Sequence, residues 1–179
     1  LFVNKDFPAR DLKELISYAK AKPDTVTFGS AGSGSSGHLW GELLRNRASI
    51  DIKHIPYKGT APAVIDVIGG RITFVVDAAV AGQEQLKAGN LRAIAVTSDA
   101  RIDTLPSVPT FAESGLKGFE PLSWYGIFAP TGTPKTVIEK LNAAVAAVAL
   151  SDDYKKNQDT LGMSAASSSS AALQERVDS

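Results

Sequence analysis

Short apolar runs alternate along this chain with segments in which apolar residues recur every three or four positions. The runs are rich in β-branched residues and predict strands, whereas the periodic segments predict helices. The predicted strands cover residues 25–28, 50–55, 72–77 and 91–97. Strands that alternate with helices of this length are typical of a mostly parallel sheet with helices on both faces. The pattern therefore predicts an α/β fold.

The pattern loosens after Asp99, where prolines and glycines punctuate a long connection. A further strand is predicted at residues 123–129, and a long amphipathic helix follows it. Residues 1–4 have the composition of a strand end. The serine-rich segment 164–172 is predicted to cap a last helix. These segments indicate a second, less regular part of the molecule.

Three of the predicted helices have recognisable start signals. Asp11 and Glu14 are three residues apart at the beginning of the first helix, as in a capping box. Thr60 and Thr133 each stand just before a periodic segment and are predicted to cap the helices that follow.

Composition excludes several classes of function. The 179 residues contain 19 lysines plus arginines and 19 aspartates plus glutamates, so the formal net charge is zero. A neutral chain offers no basic face for nucleic acid, and no nucleic-acid partner is expected. Cysteine is absent, which excludes disulfides and thiolate metal sites. No apolar run approaches the roughly 20 residues of a membrane-spanning helix.

The chemistry is predicted to lie in the loop 29–37, which follows a strand and opens a helix. Backbone N–H groups at a helix start lack partners and carry the positive end of the helix dipole. Serines add hydroxyl donors, and glycines let the backbone approach a ligand closely. Such a loop holds a compact anion without any lysine or arginine. The predicted ligand-binding residues of the loop are Ser30, Ala31, Gly32, Ser33, Gly34, Ser35 and Ser36.

Two residues outside the loop complete the predicted site. His38 opens the helix and either orients the loop or touches the ligand. Asp77 ends a predicted strand at the edge where open parallel sheets bind ligands; it either accepts from a ligand hydroxyl or ammonium group or caps the next helix. His54 is predicted to be structural, Tyr57 to pack and Lys58 to be a solvated charge. The two histidines have no metal-site spacing, and no metal or cofactor is expected.

Two enzyme classes are alternatives to a binding protein as the function of this loop. Gly32, Gly34 and Gly37 match the dinucleotide fingerprint G-x-G-x-x-G, which makes a dinucleotide-binding oxidoreductase domain the alternative function. The acidic residue of that motif belongs at the end of the second strand, whereas Asp51 lies near its predicted beginning. A serine hydrolase needs a base, and no histidine lies late in the chain. From the loop alone, a further alternative is a capped turn between strand and helix that binds no ligand.

Further motifs make the chain resemble a known family, the solute receptors of tripartite tricarboxylate transporters, also called Bug-type receptors. The resemblance covers essentially the whole sequence and rests on the order and spacing of several blocks. The blocks are Gly29-Ser30-Ala31-Gly32-Ser33-Gly34-Ser35 with His38-Leu39, Pro56-Tyr57-Lys58-Gly59 with Pro62 and Asp66, Gly70, Leu91-Arg92-Ala93-Ile94-Ala95-Val96-Thr97, Leu105-Pro106-Ser107-Val108-Pro109-Thr110, Glu113-Ser114-Gly115, Trp124-Tyr125-Gly126, and Ala129-Pro130-Thr131-Gly132-Thr133-Pro134.

The resemblance implies a periplasmic receptor, not an enzyme, with two α/β lobes and a cleft between them. Its ligand is expected to be a small organic carboxylate: a di- or tricarboxylate, an acidic amino acid or an aromatic acid. Membrane transporter subunits are the expected protein partners. In this family two loops clamp the carboxylates, one from each lobe, and the segment Ser30 to Ser36 matches the second loop.

The first clamp loop of the family has no counterpart here, and roughly the N-terminal third of a typical member is expected to be missing. The expected fold is therefore periplasmic-binding-protein-like, with one complete lobe and part of a second. The complete lobe is predicted at residues 5–122, and the partial lobe at 1–4 with 123–179.

Two hypotheses follow from an incomplete second lobe. The chain alone is expected to bind its carboxylate weakly or not at all, because half of the clamp is absent. Its uncovered apolar helix face and strand edges are expected to promote self-association. The effector domain of a transcriptional regulator, which shares the two-lobed plan, is a further rival.

Overall fold

A computed structural model describes residues 1–119, 124–160 and 163–178. The chain forms two compact units, Leu1–Ser123 and Trp124–Ser179. The strands of the first unit are β1 (Phe2–Asn4), β2 (Thr27–Ser30), β3 (Lys53–Pro56), β4 (Phe74–Val75) and β5 (Leu91–Ala93). Its helices are α1 (Leu12–Ala21), α2 (Ser36–Ala48), α3 (Thr60–Ile68) and α4 (Ala79–Lys87). The second unit contains α5 (Lys135–Leu150), α6 (Asp152–Thr160) and α7 (Ser170–Asp178).

The five strands of the first unit form one sheet in the order β3-β2-β4-β1-β5. Strand β2 pairs in parallel with β3 and with β4, whereas β1 runs antiparallel to both β4 and β5. Four of the strands therefore point the same way, and only β1 is reversed. The predicted α/β fold with a mostly parallel sheet is confirmed.

The position of β1 corrects the assignment of residues 1–4 to the other lobe. Phe2 pairs with Val75 on one side and with Ala93 on the other, so β1 lies inside the sheet of the first unit. The reason is topological: a reversed strand between β4 and β5 leaves no local signal that tells which sheet it joins. The chain divides between Ser123 and Trp124.

Alternate side chains of the central strands point to opposite faces of the sheet and belong to two hydrophobic clusters, one on each face. Phe28 and Phe74 belong to the larger cluster, together with apolar residues of α1 and α2. Phe2 and Val75 belong to the smaller cluster, which contains the buried face of α3. Helices therefore cover both faces of the sheet.

The start of α1 is as predicted. The carboxylate of Asp11 accepts a hydrogen bond of 2.8 Å from the backbone N–H of Glu14. The Glu14 carboxylate in turn accepts from the backbone N–H of Arg10 at 2.7 Å. Two backbone donors that precede the helical bonds are thereby satisfied.

The second unit differs from the prediction at its beginning. Of the predicted strand 123–129, Ser123 lies outside the described residues, and residues 124–129 form no strand. A strand requires a hydrogen-bonded neighbour, and no described segment pairs with this one. Thr133 was predicted to cap α5, but the N-cap is Pro134, because the Thr133 hydroxyl donates to the carbonyl of Pro130 at 2.8 Å. The last helix does have a serine at its start: the N–H of Ala172 donates to Ser169 Oγ at 3.2 Å.

Candidate functional site

The carboxyl ends of three parallel strands meet at one edge of the sheet. Ser30 of β2 lies beside Pro56 of β3, and Gly29 lies beside Val75 of β4. Strands β3 and β4 lie on opposite sides of β2, so the loops that follow β2 and its neighbours diverge at this point. Open α/β sheets bind ligands in the crevice that such a divergence creates.

The helices that follow these three strands start at the same edge without side-chain caps. The N-cap residues of α2, α3 and α4 are Ser35, Gly59 and Ala78, and none of them makes a side-chain cap hydrogen bond. The N-terminus of α1, which follows the reversed strand β1, is capped by contrast. Three uncapped helix starts concentrate positive partial charge at the edge where the loop 29–37 lies.

Ser30 lies under the loop and is only 3% exposed. Its hydroxyl donates to the carbonyl of Gly32 at 3.0 Å and accepts from the N–H of the same residue at 3.1 Å. Its Oγ is also 2.7 Å from Nε2 of His54. The structure therefore places Ser30 in the site as a residue that shapes the loop, with its hydroxyl turned inward.

Gly32 is the point at which the loop folds back on itself. Its carbonyl accepts from the Ser35 hydroxyl at 2.7 Å and from the Ser35 N–H at 3.2 Å. Its φ of +128° is open to glycine alone among common residues, and an added Cβ would stand 3.4 Å from the carbonyl oxygen of Tyr57. Gly34 also has a positive φ, +82°.

The exposed side of the loop consists of the remaining predicted residues. Ala31, Ser33, Gly34 and Ser36 are exposed. Among the described residues the Ser33 hydroxyl has no hydrogen-bond partner, so it is available to a ligand. The loop thus has an inner row, which holds its shape, and an outer row, which faces solvent.

His38 is held at the start of α2 by the loop. Its Nδ1 accepts a hydrogen bond of 3.1 Å from the N–H of Gly34. Its ring stacks on that of His54, with centroids 4.0 Å apart and an interplanar angle of 26°. The ring of His54 also lies close to that of Phe28, with centroids 4.9 Å apart. Burial lowers the pKa of His54, with a further lowering from His38 and an opposing effect of Glu42.

Asp77 joins two of the loops at the edge. One carboxylate oxygen accepts from the N–H of Ala78 at 2.7 Å, and the other accepts from the Thr60 hydroxyl. Thr60 is therefore not the cap of α3 that its sequence position predicts, because its hydroxyl is committed to Asp77; Gly59 is the N-cap. Thr60 is thus a residue of the site, although its position in the sequence predicted only a helix cap. Asp77 does not cap α4 either.

The loop after β3 is fixed from below by a hydrogen-bonded cluster. The Tyr57 hydroxyl donates to Asp66 at 2.6 Å, and Arg71 Nε donates to the other oxygen of that carboxylate at 2.7 Å. Burial, and then Asp66, raise the pKa of Tyr57 to about 12. The hydrogen bond from Arg71, and then that from Tyr57, lower the pKa of Asp66. Lys58 is exposed beside the loop, as predicted.

The geometry does not suit the dinucleotide alternative. Asp51 is exposed and precedes β3, the strand that follows the loop and α2, so it lies at the amino end of that strand and not at its carboxyl end. The ribose-binding acid of that motif stands at the carboxyl end. Within the part of the chain that the structure describes, no three His, Cys, Asp or Glu side chains gather as metal ligands.

Comparison with known proteins decides the family. The family described as "Tripartite tricarboxylate transporter family receptor" matches residues 1–177. The chain belongs to this family. The resemblance stated from the motifs is thus confirmed. Because the family is one of receptors, the prediction that the chain is not an enzyme is confirmed as well. The oxidoreductase alternative is wrong.

Relatives in the receptor family include two proteins that cover much of this chain. A UPF0065 protein of Pseudomonas sp. (strain P51) is 41% identical over 167 residues, which are 93% of this chain and 50% of that protein. Protein BugT of Bordetella pertussis is 39% identical over 142 residues, 79% of this chain and 44% of BugT. The chain therefore spans about half the length of these two receptors.

Solved structures similar to this receptor-family chain have the same fold. One is described as R. palustris Rpa4515 with adipate, with a TM-score of 0.90, 36% identity, and coverage of 99% of this chain and 59% of that one. The periplasmic binding protein BugD has a TM-score of 0.88 and 37% identity, with 99% and 60% covered. MatC from Rhodopseudomonas palustris, solved with bound malate, has a TM-score of 0.83 and 33% identity, with 92% and 56% covered. The predicted periplasmic-binding-protein-like fold is confirmed.

Proposed function

We propose that this chain is the carboxylate-binding part of an extracytoplasmic solute receptor and that its ligand binds at the loop 29–37. The observation that carries the proposal is the convergence of three uncapped helix starts at one sheet edge, beneath a loop with an exposed serine hydroxyl. The ligand-contacting groups are the outer row of the loop, Ala31, Ser33, Gly34 and Ser36, and His38 lies beside this row, bonded to the N–H of Gly34.

Backbone amides and hydroxyls supply the binding energy in this proposal. A hydrogen bond to a charged group contributes about 1.5–3 kcal/mol. Three or four such bonds account for most of the roughly 8 kcal/mol behind micromolar affinity, before ordering costs are subtracted. The Asp77 carboxylate lies on the β4 side of the edge, where its remaining lone pairs are suited to accept from a hydroxyl or ammonium group of the ligand.

The ligands of similar proteins support a small dicarboxylate. Rpa4515 was solved with adipate and MatC with malate. Adipate and malate each have two carboxylates, and malate also has a hydroxyl group that suits an acceptor such as Asp77. We place dicarboxylates first among the expected ligands, ahead of tricarboxylates, acidic amino acids and aromatic acids.

Delivery to a membrane transporter and a periplasmic location complete the proposal. The family's description links its receptors to tripartite tricarboxylate transporters, and BugD is a periplasmic binding protein. No helix in the described ranges is long and apolar enough to cross a membrane. The receptor is expected to present its ligand to transporter subunits, which uptake of labelled malate by cells with and without the full-length gene would test.

Calorimetry tests the ligand proposal directly. Malate and adipate are titrated into the chain, with dimethyl adipate as the control, because its esters have the same length and no charge. We expect heat from at least one dicarboxylate and none from the diester. Equal binding of acid and ester, or a fluorescence change with a nicotinamide cofactor alone, contradicts the proposal.

A two-lobed receptor, with the first unit as its complete lobe, and weak or absent binding by this chain alone are part of the same proposal. The chain spans about half the length of the receptors that it matches, and the second wall of the cleft is proposed to come from the remaining part of such a receptor. A longer version that carries that part is expected to bind the same dicarboxylate more tightly. Equal affinities of the two versions contradict this point.

A further inference from the structure

The two histidines contact the loop at different points. His54 contacts the buried hydroxyl of Ser30, and His38 accepts from the backbone of Gly34. Their rings stack with centroids 4.0 Å apart. One pair of imidazoles therefore connects the inner end of the loop, on β2, with its outer turn.

The hydrogen bond from Gly34 determines which ring nitrogen of His38 carries a proton. Nε2 of His54 and the Ser30 hydroxyl share a hydrogen bond of 2.7 Å, in which the donor depends on the tautomer of His54. Nδ1 of His38 accepts from Gly34 and therefore carries no proton. His38 is held as the neutral Nε2–H tautomer by the loop itself.

Protonation of His38 would break this arrangement. A proton on Nδ1 faces the N–H of Gly34, so a hydrogen bond is replaced by two opposed donors. The stacked rings also repel each other when both are charged. Glu42 lies one turn along α2 from His38 and forms an ion pair with Arg45 at 3.1 Å. Its charge favours the protonated form of His54 and so raises the pKa of that histidine. Around the stack, β2 presents Phe28 and Ser30, neither of which is charged.

We propose that His38 and His54 are positioning residues that hold the loop 29–37 in its anion-binding shape only while His38 is neutral, so that acidification weakens carboxylate capture. The inference rests on the proposed function, because it assigns a role to residues of that site. It runs against simple charge attraction, in which a histidinium beside the loop strengthens the binding of an anion. The direction in which carboxylate affinity changes with pH therefore distinguishes the positioning role from simple charge attraction.

Nuclear magnetic resonance of the ligand-free chain tests the positioning role. The sequence contains only two histidines, so imidazole nitrogen spectra hold two ring systems that are easily assigned. At pH 8 we expect His38 as the Nε2–H tautomer. As the pH is lowered, the amide signal of Gly34 is expected to shift together with the ring signals of His38. A His38 ring protonated on Nδ1 at pH 8, or a Gly34 amide that ignores its titration, overturns the proposal.

Binding of malate and adipate to matched variants is the second measurement. His38→Phe keeps an aromatic stack and removes the acceptor; we expect at least a tenfold loss of affinity at pH 8. His38→Asn places an amide oxygen where Nδ1 accepted; it is expected to recover much of that loss and to show no weakening on acidification beyond that of the ligand's own protonation. His54→Gln, which keeps a donor, and His54→Phe, which does not, form the corresponding pair for Ser30.

The two measurements separate failure of this inference from failure of the proposed function. If neither dicarboxylate binds the wild-type chain or the longer version of the receptor, the proposed ligand class fails, while the tautomer and the Gly34 amide still decide the positioning role. If the wild-type chain binds malate more tightly at pH 6 than at pH 8, or if His38→Phe and His38→Asn behave alike, the positioning role is overturned.

Discussion

Two serines of the same loop have opposite environments, and this contrast has a measurable consequence. The Ser30 hydroxyl is buried and bonded to Gly32 and His54, whereas the Ser33 hydroxyl is exposed. Ser30→Ala leaves a buried N–H and an imidazole without their partner, which costs about 1–3 kcal/mol. We expect Ser30→Ala to lower the free energy of unfolding in urea by that amount.

Ser33→Ala is the matched control for this prediction. It removes an exposed hydroxyl and is expected to change stability by no more than about 0.5 kcal/mol. It is expected to weaken malate binding, because it removes a proposed ligand donor. Equal unfolding free energies of Ser30→Ala and Ser33→Ala would contradict the division of the loop into an inner and an outer row.

The sequence predicts the position of this loop but not the direction of its side chains. A glycine- and serine-rich segment between a strand and a helix marks an anion site from local pattern alone. Ser30 is turned inward by His54, a residue 24 positions away on the neighbouring strand. Thr60 is likewise taken from its expected cap by Asp77, 17 positions away. Such contacts depend on the fold of the whole unit, so they leave no trace in local sequence.

At the scale of elements, one glycine controls how closely α2 packs on the sheet. A Cβ added at Gly41 would lie 2.0 Å from the Phe28 ring, which is fully buried. Gly41→Ala is therefore expected to destabilise the chain by about 1–3 kcal/mol in urea unfolding, although alanine is the better helix former. Asn46→Ala, at an exposed position of the same helix, is expected to be neutral or slightly stabilising. A stabilising Gly41→Ala would contradict the packing of α2 described here.

The cluster under the β3–α3 loop gives a prediction about ionisation. With a pKa raised to about 12, Tyr57 stays neutral at pH values where an ordinary tyrosine ionises, so the stability it contributes is present below about pH 10 and is lost as pH rises through about 12. Carbon-13 spectra of labelled tyrosine are expected to show Tyr57 still protonated at pH 11. Asp66→Asn removes the acceptor charge and is expected to lower that pKa, whereas an unchanged midpoint would contradict the assigned cause.

The same cluster responds to acid in the opposite direction. Arg71 and Tyr57 lower the pKa of Asp66, so the contribution of its carboxylate is present above its ordinary pKa, near 4, and is lost as pH falls through the lower folded value. Arg71→Gln is expected to raise the pKa of Asp66 and to move this loss to higher pH. Carboxyl carbon shifts measured between pH 5 and 2 check this, and an Asp66 midpoint that does not change in Arg71→Gln would contradict it.

At the scale of the whole molecule, the two units bury very different amounts of apolar surface. The sheet unit contains both hydrophobic clusters, and Ala149 is the one buried apolar residue among the described residues of the second unit. The second unit instead exposes large apolar side chains. These are Trp124, Tyr125, Ile127, Phe128, Val137, Leu141, Val148, Leu150, Tyr154 and Val177. An apolar surface of this kind favours association in water, because each Å² of apolar surface that is buried contributes about 25 cal/mol of favourable free energy.

We therefore expect the chain to self-associate through residues of the second unit. Sedimentation velocity is expected to show a coefficient that increases with protein concentration. Ile127 and Phe128 are 71% and 65% exposed, and the double substitution Ile127→Ser with Phe128→Ser is expected to shift the distribution toward monomer. Ile65, 59% exposed on α3 of the first unit, supplies the control: Ile65→Ser removes an exposed apolar side chain from the first unit and is expected to leave the distribution unchanged. A single monomer peak at high concentration, or an equal effect of the control, would show that the second unit does not drive association.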